Sequence, residues 1–138
     1  MQVLVDTPIW SIAFRLAGMN LIAREERLTA ELRELIRDGR AQLVGPVRQE
    51  LLSGISEEFS FKKLRDHLRA FEPPPLEIAD YEEAAYFHTQ CRSRGIHGST
   101  IDFLICAIAH RRDWEIFTNS PAFTRYARVV PLSLYQAR

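Results

Sequence analysis

From Phe103 to Ala109 the chain reads Phe-Leu-Ile-Cys-Ala-Ile-Ala, with Ile101 just ahead and no polar side chain within the run. Coiled into a helix, such a run has almost no face to offer water, so it is expected to be buried on most sides. An acid, Asp102, stands at its head. Ser99 followed three residues later by Asp102 has the form of a capping box, and a carboxylate in the first turn complements the helix dipole. An acid at the edge of so apolar an element nevertheless needs a partner, and that points beyond capping.

Two further acids occupy comparable places. Asp6 ends the first apolar run, Val3-Leu4-Val5, and Glu50 lies in a short helical stretch after a second run, Leu43-Val44-Gly45. Taken singly, Asp6 is equally a helix N-cap ahead of Pro8, and Glu50 is a solvated helix residue. Taken together they are harder to dismiss. In open α/β folds the carboxyl ends of strands and the starts of nearby helices converge on one crevice. Carboxylates gathered there repel one another unless a divalent cation lies between them, and Mg²⁺ or Mn²⁺ prefers such oxygen ligands.

The pattern along the chain supports that geometry. Residues 2–5 read as a buried strand. A helix from about Pro8 carries Ile9, Ile12, Ala13 and Leu16, and a longer one spans about Ile22 to Asp38 before Gly39. Leu43-Val44 reads as the second strand, followed by a helix with Val47, Leu51 and Leu52 on its apolar face that stops at Gly54, and then a helix from Ser56 to about Phe71. Pro73-Pro74-Pro75 is stiff and extended, leading into a short strand, Leu76-Glu77-Ile78. A helix over about 81–94, the Asp102 helix, a strand at 115–118, a short helix at 121–126 and a last strand at Val129-Val130 complete the chain. Strands alternating with helices predict a mostly parallel central sheet of four to five strands flanked by helices, in a single domain over 1–138.

Several function classes are excluded or disfavoured. With 18 basic and 18 acidic side chains the formal charge is zero, unlike domains that coat nucleic acid without specificity. Arg92 and Arg94 with His97, and the pair Arg111-Arg112, are candidate phosphate patches but read first as solvated helix ends. His67, His88, His97 and His110 have no zinc-type pairing, and no glycine-rich phosphate loop occurs. Trp10, Phe14, Tyr86 and Phe87 read as core or dimer packing. Cys91 and Cys106 read as reduced packing residues of a cytoplasmic protein. No stretch approaches the roughly 20 apolar residues that span a bilayer, so no membrane partner is expected, and the N-terminus does not read as a secretory signal.

The ordered set Val5-Asp6-Thr7, Val47-Arg48-Gln49-Glu50-Leu51, Arg94-Gly95-Ile96, Ile101 to Ala109, Ile116-Phe117-Thr118-Asn119, Phe123 and Val129-Val130-Pro131-Leu132 resembles the PIN domain, most closely its VapC-type toxin branch. The resemblance implies a PIN-like α/β fold and a ribonuclease (hydrolase) of a toxin–antitoxin system. Asp6, Glu50 and Asp102 would be its catalytic metal ligands, holding Mg²⁺ or Mn²⁺ to activate water against an RNA phosphodiester. Thr7, Ser11, Thr118, Asn119 and Ser120 are candidates for positioning water or phosphate. A cognate antitoxin and a homodimer are further implications. One departure matters: members of this family usually carry more acids after the strand threonine, where this chain has Ser120 and Ala122. That departure motivates an alternative, a catalytically weakened or silent PIN-like module that binds RNA or a protein partner.

Overall fold

The computed structural model describes residues 1–14 and 21–137. In chain order the elements are β1 (Val3–Val5), α1 (Thr7–Phe14), α2 (Ala23–Arg37), β2 (Ala41–Gln42), α3 (Gly45–Ser53), α4 (Glu58–Leu68), α5 (Ile78–Ser93), α6 (Thr100–Arg112), β3 (Glu115–Phe117) and α7 (Ala122–Tyr126). Leu16, expected on the first helix, lies outside the described residues.

The sheet is parallel, in the order β2-β1-β3. β1 is central: Val3 lies opposite both Ala41 and Glu115, and Val5 opposite Phe117. Val3, Leu4 and Val5 are all fully buried, as expected of a parallel strand covered on both faces. The apolar run of α6 meets the burial its composition demands. Phe103, Ile105, Cys106, Ala107, Ile108 and Ala109 are buried, and Leu104 is partly so. Each large side chain among them stabilises the fold by about 1.5–3 kcal/mol on area grounds. Cys91 and Cys106 are free and buried.

Among the described residues three strands form, with one added parallel bridge between Ile116 and Leu134, rather than four to five. Pairing at the second strand covers Ala41 and Gln42 instead of Leu43-Val44, because Val44 is already the cap of α3 and Pro46 sits in its first turn. Leu76-Glu77-Ile78 is no strand. Glu77 N–H donates to Asp80 Oδ2 (2.8 Å), and this reciprocal capping starts the helix at Ile78. Val129 and Val130 both donate to Tyr126 O (3.0 and 2.9 Å), a turn that withholds them from the sheet. The chain reaches β3 only afterwards, with Ile116 N–H donating to Ser133 O and Tyr135 N–H to Ile116 O.

Among the described residues no helix is long and apolar enough to cross a membrane.

Candidate active site

β1 ends at Val5, so Asp6 leaves the sheet at its carboxyl edge. Its backbone stays tied to the neighbouring strand, Asp6 N–H donating to Phe117 O (2.9 Å). Pairing of Val5 with Phe117 brings Thr118 alongside, and Thr118 Oγ1 donates to Asp6 Oδ2 at 2.7 Å. Thr7 N–H donates to Oδ1 at 2.8 Å. Asp6 is only 4% exposed. Burial pushes its carboxyl up to about 6, against the two hydrogen bonds, and the charges of Asp102 and Glu50 push in the same direction as burial. Both of the other acids singled out in the sequence therefore act on Asp6 in the fold.

Each of the other two carboxylates is held by a hydroxyl. Thr7 opens α1 and its Oγ1 donates to Glu50 Oε1 at 2.6 Å, linking that helix to α3. Glu50 itself is exposed and Asp102 half-buried. At the head of α6, Ser99 Oγ accepts the N–H of Asp102 (3.0 Å), the cap expected from sequence. The Asp102 carboxylate turns to α7, accepting Tyr126 OH at Oδ2 (2.6 Å). Among the described residues no three carboxylate, imidazole or thiol groups form a ready-made metal cage.

Of the other candidate positions, Thr7 and Thr118 contact the carboxylates directly. Ser11 is half-buried one turn along α1 from Thr7. Thr118, Asn119 and Ser120 border a cleft of about 540 Å³ shared with Arg24, Thr124 and Tyr135. Ser120 is engaged in the turn: its N–H donates to Thr118 Oγ1 (3.0 Å) and its Oγ accepts Ala122 N–H (3.4 Å).

The basic pair Arg111-Arg112 is not a free phosphate patch. Arg111 donates to Asp80 Oδ1 (2.8 Å), and Arg112 donates to both Asp80 oxygens (2.8 and 3.0 Å) and to Ile108 O and Pro75 O. Asp80 is fully buried, so these guanidinium groups are committed to joining α5 and α6. Arg92, Arg94 and His97 are exposed. Trp10 and Phe87 are core residues, whereas Tyr86 is 61% exposed.

Sequence reasoning missed Tyr126, Asp80 and Arg24. A lone tyrosine at a short helix's end carries no signal separating a carboxylate partner from ordinary packing. Asp80 did carry one, as the third residue of a helix after Glu77 in a reciprocal cap.

A family model of the PIN domain matches residues 3–129. A comparison with curated protein sequences finds no match. Among solved structures, the chain is similar to FitAcB from Neisseria gonorrhoeae, with a TM-score of 0.75, 18% identity and coverage of 99% of this chain and 98% of that one. It is also similar to VapBC2 from Rickettsia felis, solved bound to a DNA fragment from their promoter (TM-score 0.70, 17% identity, 98% of each chain covered). VapBC-1 from nontypeable Haemophilus influenzae follows with a TM-score of 0.62, 14% identity and coverage of 99% and 98%. At these identities the structures speak to the shared fold, while the family model speaks to descent: the chain belongs to the PIN domain family.

Proposed function

We propose that this chain is a metal-dependent endoribonuclease and the toxin half of a toxin–antitoxin pair. The observation that carries the reading is the setting of Asp6, a buried carboxylate at the carboxyl edge of the sheet, held by the Thr118 hydroxyl and the Thr7 amide with Asp102 and Glu50 close enough to oppose its ionisation. Anions held together in this way are relieved by a cation. The donor set fits a hard dication: the acids around Asp6 are carboxylates held by hydroxyls, and the thiol within electrostatic reach, Cys106, is buried and held well above its usual range, so it stays a neutral packing group.

Asp6, Glu50 and Asp102 would hold the ion. Bound there, Mg²⁺ or Mn²⁺ would supply a more acidic water and offset charge developing on the phosphate during in-line attack. The chain's own residues do the rest. Thr118 and the Thr7 amide fix the Asp6 carboxylate, and the Thr7 hydroxyl fixes Glu50. Asn119 and Ser120 border the cleft that Thr118 shares, where an RNA phosphate would lie, and Ser11, one turn along α1 from Thr7, is a further positioning candidate. An antitoxin partner, a homodimer and a cytoplasmic setting belong to the same reading and rest on the likeness to VapC-type toxins.

The test is cleavage of mixed cellular RNA by the partner-free protein with Mn²⁺ or Mg²⁺, beside Asp102→Asn and a chelator control. Discrete fragments that vanish in both controls support the reading; wild-type fragments that persist in both would sink it.

A second reading, a silent module that binds RNA or a protein, is favoured by one observation. Ser120 stands where family members usually have an acid, and here its hydroxyl serves the turn into α7. Under that reading the wild type binds Mn²⁺ no better than Asp102→Asn, and Ser120→Asp creates the missing affinity.

A further inference from the structure

We infer that Tyr126 is the positioning residue for Asp102, turning that carboxylate so that one oxygen is spent on the phenol and the other is presented to the divalent ion. The inference rests on the metal-site reading above and extends it to a residue outside the acid set. Its geometry is specific. Tyr126 is 1% exposed, and its ring packs against Phe103 (4.9 Å between centroids) and Phe123 (5.3 Å). Its hydroxyl donates to Asp102 Oδ2 at 2.6 Å. On another side stands Gly98, where a Cβ would come within 2.5 Å of the same hydroxyl oxygen. The phenol is thus held by aromatic walls beside a glycine whose added Cβ would push it aside, with its proton aimed at the carboxylate.

A buried tyrosine needs some acceptor for its O–H, and a backbone carbonyl would serve structure equally well. Here the acceptor is the acid at the head of α6, which takes the phenol while Ser99 caps its amide. An ionised carboxylate has about four lone-pair sites, so one hydrogen bond at Oδ2 fixes the group's rotation and leaves Oδ1 free of that bond. Asp102 then joins a set in which every acid is held by a different hydroxyl: Asp6 by Thr118, Glu50 by Thr7 and Asp102 by Tyr126. Partners of this kind behind metal ligands typically govern affinity by 10- to 100-fold.

The experiment measures Mn²⁺ binding by the electron paramagnetic resonance of the free ion, for wild type, Tyr126→Phe and Asp102→Asn, followed by RNA cleavage against Mn²⁺ concentration. Tyr126→Phe is expected to weaken Mn²⁺ binding about 10-fold or more. The Mn²⁺ concentration for half-maximal cleavage should rise by the same factor, with the rate at saturating metal close to wild type. A merely structural tyrosine would leave both midpoints unmoved, and that result overturns the inference. Should Tyr126→Phe fail to fold, Gly98→Ala displaces the phenol instead, and unchanged Mn²⁺ affinity in that variant overturns it equally. Wild type binding no better than Asp102→Asn removes the metal site itself, and this inference with it. Wild-type binding that Asp102→Asn loses and Tyr126→Phe keeps removes only the role of Tyr126.

Discussion

Among the described residues two acids are buried, and their surroundings are opposite. Asp80, fully buried, receives Arg112 on both oxygens and Arg111 on one, and the Arg112 guanidinium leads in holding its carboxyl well below the usual carboxylate range. Asp6, nearly as buried, receives a hydroxyl and an amide, has two more acids within electrostatic reach, and is raised to about 6. A fork-like arginine contact is among the strongest answers a protein has to a buried carboxylate. The chain uses it between α5 and α6; among the described residues none is seen on Asp6 at the end of β1. An acid neutralised from within belongs to the scaffold; one surrounded by neutral donors and other anions is the one the proposed metal site calls on.

That contrast is most easily broken at Asp80. Asp80→Ala strands Arg112 in a partly buried setting and should cost about 3–5 kcal/mol of unfolding free energy, the scale for removing one partner of a buried pair. Urea titration would measure it, and a loss under about 1 kcal/mol would deny Asp80 its scaffold role. Asp6→Asn should do the reverse. In metal-free buffer at pH 7 it is expected to be at least as stable as wild type, because an unrelieved charge is gone. Its divalent-dependent RNA cleavage should fall roughly 10²- to 10³-fold, the scale of a lost electrostatic stabiliser in an active site, and Asp102→Asn should fall likewise. Full cleavage by both variants would sink the catalytic assignment.

The pH dependence sharpens the same comparison in metal-free protein. Asp6 has a folded value above its ordinary 3.8. Its contribution is therefore complete below about pH 4 and lost as the pH rises through about 6, a change of roughly 2–3 kcal/mol at about 1.4 kcal/mol per unit. Asp80 has a depressed value. Its contribution is present above the ordinary aspartate value and is lost only as the pH falls below it toward the depressed one. Denaturant titrations between pH 3 and 8 should show wild type losing stability from pH 4 to 7, and Asp6→Asn losing less. An identical decline in both would assign the slope to another group. The smallest effect is expected at Ser120. An aspartate can accept the same amide at the turn into α7, so Ser120→Asp should change stability by no more than about 0.5 kcal/mol while tightening Mn²⁺ binding; unchanged binding would place position 120 outside the metal's reach.

The placement of Asp6, Glu50 and Asp102 was legible because each sits beside an apolar run whose burial follows from composition alone: Val3-Leu4-Val5, Leu43-Val44 and Phe103 to Ala109. Such runs tell where the core is, and so where an acid is out of place. The Asp80 pair was not legible in the same way. Arg111 and Arg112 lie 31 and 32 residues further along the chain, and only the packing of α5 on α6 reveals them as partners. Strand pairing was misread where local preference and hydrogen-bond supply part company. Val129-Val130 has the side chains of a strand, but a turn takes its amides and the sheet is met at Leu134. Glu77 is extended shortly after three prolines, yet its cap with Asp80 sets the helix start at Ile78.

β1 also fixes when the site can exist. Its three residues are separated by 112 positions from the strand beside them, as Asp6 is from the threonine that holds it. Contacts of such long range form late because closing the chain between them is entropically costly. Asp6, Glu50 and Asp102 are thus not an arrangement any short stretch of chain can make: the hydroxyls of Thr118 and Tyr126 reach their carboxylates only once β3 has paired with β1 and α7 has packed beside α6.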